Sequence, residues 1–173
     1  LTARTAIEAR LDGIHLLLEN GELREDLREE MKGLPDLERA RSRLRLGRAT
    51  PVDLKSIRIG LETSARVLSL LEDTDLSAAP IIASAASDLA ETLSAGLTAL
   101  GAQISSILVD DPPAIMSDGG FVRTGANEDL DRLRTLRDDS RKIIAGLEAK
   151  YQQDTGISAI RIKFNAMLGY FLE

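Results

Sequence analysis

The sequence predicts a mainly α protein, a bundle of long helices laid side by side, ending in a short C-terminal β-hairpin stub. Three observations predict it. Leu, Ile and Ala recur every three to five residues through most of the chain, the period of a helix face. Helix-start signals stand ahead of those runs, most clearly Thr50-Pro51-Val52-Asp53. All five aromatic residues, Phe121, Tyr151, Phe164, Tyr170 and Phe171, lie beyond position 120, so the first two thirds must pack aliphatic ridges alone, as helix bundles do.

In the first helix Ile7, Leu11, Ile14 and Leu18 form the apolar stripe, and Asn20-Gly21 marks its end. Leu23, Leu27 and Met31 carry a second helix up to Gly33-Leu34-Pro35-Asp36, where proline removes a backbone donor and biases its predecessor away from the helical region. Asp36 caps a third helix with Leu37, Ala40 and Leu44 on one side and arginines on the other. Thr50 as N-cap, Pro51 at the first helical position and Asp53 near the positive end start a fourth, from about Pro51 to Leu71. After a break at 73–80, an Ala/Ser/Leu segment reads as one long helix from about Ile81 to Leu108. Residues 109–125, with Asp110-Asp111-Pro112-Pro113 and Asp118-Gly119-Gly120, read as a loop holding a short extended piece at Phe121-Val122-Arg123. Asn127 caps a last helix to about Gln153, with Leu130, Leu133, Leu136, Ile143, Ile144 and Leu147 on its inner face, and Gly156 ends it. Ile160, Ile162 and Phe164 then alternate with Arg161 and Lys163, the period of a strand. Residues 165–169 make the turn and Tyr170-Phe171-Leu172 the return strand.

Composition narrows the chemistry. With 173 residues, 43% of them apolar, the chain can bury a core. It has no cysteine and one histidine, which excludes disulfides, thiolate ligands, thiol nucleophiles and multi-histidine metal sites. No apolar run approaches a membrane span and no signal-peptide pattern opens the chain, so a reducing, intracellular setting is expected. The start at Leu1 and the stop at Glu173, directly after a strand, read as the ends of an excised section. The formal net charge is −6, but residues 36–72 carry eight basic and five acidic groups against one and seven in residues 73–126.

No candidate constellation amounts to a catalytic site. Arg39, Arg41, Arg43, Arg45 and Arg48 could contact phosphate, but read better as a solvated face pairing with carboxylates such as Glu38. His15 lies near an apolar stripe and reads as structural. Asp110, Asp111 and Asp118 lack the spacing of a cation loop, and Asp118-Gly119-Gly120 lacks the Lys-Ser/Thr of a phosphate cradle. Asp138 and Asp139 are neighbours on a helix and point about 100° apart.

Four blocks in order resemble the middle section of the MutS family of DNA mismatch-repair ATPases. They are Arg10-Leu11-Asp12-Gly13-Ile14 with Leu23-Arg24-Glu25-Asp26-Leu27; Leu34-Pro35-Asp36-Leu37-Glu38-Arg39 with Leu46-Gly47-Arg48-Ala49-Thr50-Pro51-Val52-Asp53-Leu54; Asp118-Gly119-Gly120-Phe121-Val122-Arg123 with Leu130-Asp131 and Leu133-Arg134; and Thr155-Gly156-Ile157 with 160–165 and 168–173. One departure is Gly125-Ala126-Asn127, where the family usually has Gly-Tyr-Asp.

The resemblance implies that residues 1–156 form an elongated helical core or lever domain and 157–173 the first strands of a DNA clamp. It implies a role in coupling an ATPase to DNA clamping in mismatch repair, with ATP and Mg²⁺ bound outside these residues and no catalysis by this section. It further implies duplex DNA and other domains of the same chain as partners, a homodimeric parent and a bacterial cytoplasmic location. The Phe-x-Glu mismatch-reading motif and the ATPase phosphate loop of the family lie outside this sequence. Arg161, Lys163 and Asn165 are the nearest candidates for touching the DNA backbone. The competing expectation is a free-standing helical protein-interaction or dimerisation module.

Overall fold

The computed structural model describes residues 3–173, which form two compact units, one running through Arg123 and the other Thr124–Glu173. The first holds α1 (Arg4–Glu19), α2 (Gly21–Lys32), α3 (Leu37–Arg45), α4 (Pro51–Glu72), α5 (Pro80–Thr92) and α6 (Thr98–Ile107). Its centre is α4, against which α2, α3, α5 and α6 all pack, while α1 lies on α2 and α5. The mainly α class expected from the sequence is the class observed.

Local chemistry sets the helix starts. The Asp36 carboxylate accepts the Arg39 N–H at 2.9 Å and begins α3. At α4 the Thr50 side chain accepts the Asp53 N–H while the Asp53 carboxylate accepts the Thr50 N–H at 2.7 Å, a reciprocal cap that satisfies two donors otherwise left open. Leu27, Leu71 and Ala86 form the buried core between α2, α4 and α5, supported by Leu23, Val67, Leu68 and Ile82. Small residues let the helices close in: Gly60 faces Leu37, and a Cβ on Gly13 would sit 3.1 Å from Ile81.

Several expectations change. The segment read as one helix from Ile81 to Leu108 breaks at residues 93–97, where Ala95 leaves the helical region and Gly96 takes φ +99°. Only glycine adopts that conformation without steric cost. Hydroxyls flank the break, with Thr92 donating to the Asp88 carbonyl at 2.7 Å, Ser94 to Glu91 at 2.8 Å and Thr98 to Leu93 at 3.3 Å. The periodicity of Leu and Ala survives such a break, which is why spacing alone does not reveal it. The α1 stripe of Ile7, Leu11, Ile14 and Leu18 is exposed, and the helix instead buries Gly13 and Leu16.

The loop after α6 carries the expected extended piece: Leu108 and Val122 form an antiparallel bridge, and Arg123 N–H donates to the Ile107 carbonyl at 2.7 Å. Lys55 pairs with Asp111 at 2.8 Å and ties this loop to α4.

The second unit is α7 (Glu128–Thr155) followed by β1 (Ile162–Asn165) and β2 (Gly169–Leu172). Asn127 caps α7 through the Leu130 N–H at 2.8 Å, and Gly156 ends it in the left-handed conformation. The helix forms where the spacing placed it, but its expected inner face is not buried: Leu133 is 62% and Ile143 63% exposed, Leu130 and Ile144 are half-buried, and no residue of α7 is buried. Among the described residues no helix is long and apolar enough to cross a membrane.

Candidate nucleic-acid interface

Arg161, Lys163 and Asn165 sit on and beside one two-stranded antiparallel hairpin, in the register Ile162↔Leu172, Lys163↔Phe171, Phe164↔Tyr170 and Asn165↔Gly169. The pairing continues one step past the strands, since Arg161 and Glu173 exchange both backbone hydrogen bonds at 2.8 and 2.9 Å. Because side chains alternate along a strand, Arg161, Lys163 and Asn165 share one face. Ile162, Phe164, Tyr170 and Leu172 occupy the other, where the Phe164 and Tyr170 rings lie 5.1 Å apart and tilted by 59°, a geometry aromatic pairs favour.

Each of the three residues already has work inside the unit. The Asn165 side-chain oxygen accepts the N–H groups of Met167 at 3.0 Å and Leu168 at 2.6 Å, so it builds the turn. Lys163 pairs with the Glu173 carboxylate. Arg161 donates to the carbonyls of Ser158 and Ile160 and lies 3.6 Å from Glu148. Both cations remain about half exposed, at 54% and 55%. Two positive and two negative groups therefore share the neighbourhood, leaving little net field for a phosphate backbone.

Two residues of α7 anchor the hairpin, and sequence reading did not single them out. Glu148 accepts the Ile162 N–H at 3.0 Å and Gln152 donates to the Ile160 carbonyl at 2.9 Å. Their signal was present: they stand four apart, on one side of the helix, next to Leu147 and Tyr151.

Two arginines of the 39–48 cluster pair with carboxylates. Arg41 pairs with Glu38 at 3.0 Å and Arg43 with Asp53 at 3.0 Å. Burial pushes the Asp53 carboxyl up, but the Thr50 N–H and hydroxyl, helped by the Arg43 and Arg39 guanidinium groups, hold it below the usual aspartate range. Asp110 pairs with Arg123 at 2.9 Å, and the Lys55 ammonium holds the Asp111 carboxyl below its ordinary range. No group of three or more His, Cys, Asp or Glu residues among those described is arranged to hold a metal ion. His15 is exposed and lies 3.3 Å from Glu19 on the same helix. Asp138 turns to Arg137 at 2.9 Å and Asp139 to Lys142 at 3.6 Å, so the neighbouring carboxylates serve separate ion pairs.

Comparison with known proteins agrees with the sequence blocks. The family model described as MutS domain III matches residues 1–166. A DNA mismatch repair protein MutS from Bartonella henselae is 42% identical over 173 residues, which is 100% of this chain and 18% of that protein. Another from Rhizobium meliloti is 39% identical over the same 173 residues, again 18% of its length. The chain therefore spans under a fifth of the curated relatives it matches.

Proposed function

The chain belongs to the MutS family, matched through domain III, and from that premise we propose that it is the structural middle section of a bacterial mismatch-repair ATPase. In this reading residues 1–156 are a helical core or lever and residues 157–173 open the clamp. The lever couples nucleotide binding elsewhere in the protein to closure of the clamp on duplex DNA. ATP and Mg²⁺ bind outside these residues, the parent is a cytoplasmic homodimer, and this section catalyses nothing by itself. The observation that carries the proposal is alignment over the whole chain with mismatch repair proteins.

The physical logic is mechanical. Close-packed helices resist compression, so a displacement applied at one end reappears at the other instead of dissipating. In the first unit α4 gathers four neighbours through aliphatic contacts and glycine-sized gaps, which is how a stiff element is built without aromatic bulk. Coupling then means that nucleotide changes DNA affinity through this section, and reciprocally that DNA changes nucleotide affinity.

The test uses the purified chain and its parent gene. The gene is expected to encode a Phe-x-Glu motif upstream of these residues and a phosphate loop downstream, and the chain alone to leave ATP unhydrolysed. A parent gene lacking both motifs, or sustained ATP turnover by the chain, would overturn the proposal.

A further inference from the structure

We propose that the pocket between α3 and the start of α4 binds a small organic acid through a single carboxylate. The inference goes beyond the mismatch-repair reading and rests on the first unit alone. Arg39 and Arg43 line the pocket from α3, Val52 and Ser56 line it from α4, and Ala114 of the loop after α6 also faces it. The enclosed space is about 390 Å³, within the roughly 300–1,000 Å³ of ordinary ligand clefts. Local interactions place these walls. The caps at Asp36 and Thr50 start the two helices, and the Lys55–Asp111 pair at 2.8 Å holds the loop that carries Ala114.

The pocket's spare hydrogen-bonding capacity belongs chiefly to its arginines. The two carboxylates in the lining are engaged: Asp36 accepts the Arg39 N–H at 2.9 Å, and Asp53 accepts the Thr50 N–H at 2.7 Å and the Thr50 hydroxyl at 2.8 Å. The Arg39 guanidinium, by contrast, has no hydrogen bond or ion pair among the described residues, and only its charge reaches Asp53. Arg43 is incompletely satisfied. One terminal nitrogen donates to the Arg48 carbonyl at 3.3 Å, while the buried Nε lies 3.0 Å from Asp53 Oδ2 yet makes no hydrogen bond. Standing four apart on α3, the two arginines share one side of the helix.

The chemistry of the lining selects the guest. A guanidinium fork matches the two oxygens of a planar carboxylate, and two forks side by side can hold one between them. The formal charges of the lining, Arg39 and Arg43 against Asp36 and Asp53, cancel. A monoanion therefore meets less repulsion there than a phosphate dianion, which the neighbouring carboxylates oppose. Ala40, Val52 and Ala114 offer apolar surface to a short aliphatic stem. Duplex DNA presents its phosphates as an extended row, which a pocket of this size, with Asp36 in its lining, does not accommodate.

The test follows the arginine Nε–H and backbone amide signals of the full chain by nitrogen-15 NMR during titration with butyrate at constant ionic strength. Saturable shifts at Arg39, Arg43 and Ala114 are expected, with a dissociation constant on the order of 1 mM, as suits one charge-assisted contact. Butyramide, the same shape without the charge, should leave those signals in place. Arg39→Gln should weaken butyrate binding about tenfold, and Arg39→Lys should weaken it too, because the charge is kept but the fork is lost. Ala114→Leu fills the pocket without touching a charge and should abolish the shifts at both arginines. Arg39 and Ala114 are exposed, and melting curves check that the variants fold. In the full-length parent protein, butyrate should show a saturation-transfer signal that Ala114→Leu removes. Absence of that signal, or of saturable shifts in the chain, would overturn the proposal. So would butyramide binding as well as butyrate, tighter binding of inorganic phosphate, displacement of butyrate by duplex DNA, or unchanged binding in both Arg39→Gln and Ala114→Leu.

Discussion

Gly60 of α4 lies directly under Leu37 of α3, so close that a Cβ added to the glycine would overlap both methyl groups of the leucine. The two helices therefore meet at a point where one side chain has been reduced to hydrogen. Replacing glycine by alanine within a helix ordinarily gains about 0.5–1 kcal/mol, but overpacking costs about 1–3 kcal/mol. Gly60→Ala is expected to lower stability by about 1 kcal/mol in urea unfolding. In the Leu37→Ala background the same change should be neutral or stabilising, and a double-mutant cycle measures the coupling.

The reciprocal cap at the start of α4 gives a pH signature. Because the folded-state pKa of Asp53 is depressed, its stabilisation is fully present above the unfolded value of about 4 and is lost as pH falls through the folded value. Asp53→Asn should flatten the acid limb of the stability curve, and Thr50→Ala should cost about 1 kcal/mol at neutral pH. Chemical denaturation at several pH values checks both.

The hairpin depends on Glu148, which accepts the Ile162 N–H and pairs with Arg161. Glu148→Ala is expected to loosen it by about 1 kcal/mol, seen as roughly fivefold faster amide exchange at Ile162. Amides in α4 should be unaffected. Gln152→Ala tests the second anchor by the same measurement at the Arg161–Lys163 amides.

Binding of duplex DNA by the isolated chain should be feeble, at or weaker than the roughly 10⁻⁴–10⁻⁶ M typical of non-specific contacts, and should collapse as salt rises. Neutralising Glu173 by Glu173→Gln frees Lys163 and should strengthen binding at low salt. Tight, mismatch-selective binding in an anisotropy titration would contradict that expectation.

Much of this was legible in the sequence because local chemistry decides it. Asp36, Thr50 with Asp53, and Asn127 cap the helices they were expected to cap, since a short polar side chain facing free N–H groups needs no distant partner. The alternation at 160–164 likewise marked the strand. What the sequence hid depends on packing. Leu spacing cannot show that the chain turns at Gly96, because residues on either side keep their period. Nor can an apolar stripe name its partner: Ile14 and Leu133 lie on well-formed helices and remain exposed. At the hairpin, charge and alternation located Arg161 and Lys163, but not the carboxylates that neutralise them, one on α7 and one at the chain's last residue.

The central claim is that packing in this section transmits motion between sites elsewhere in the parent protein. The direct measurement is the ratio of mismatched-duplex affinities with and without ATP in the full-length protein, compared with Leu71→Ala, which opens a cavity in the α2–α4–α5 core. Such a cavity costs about 2–5 kcal/mol of local packing. The account predicts that the variant still binds ATP and still binds DNA, while the ratio moves toward one. An unchanged ratio in a folded variant whose melting curve shows the lost packing would contradict it.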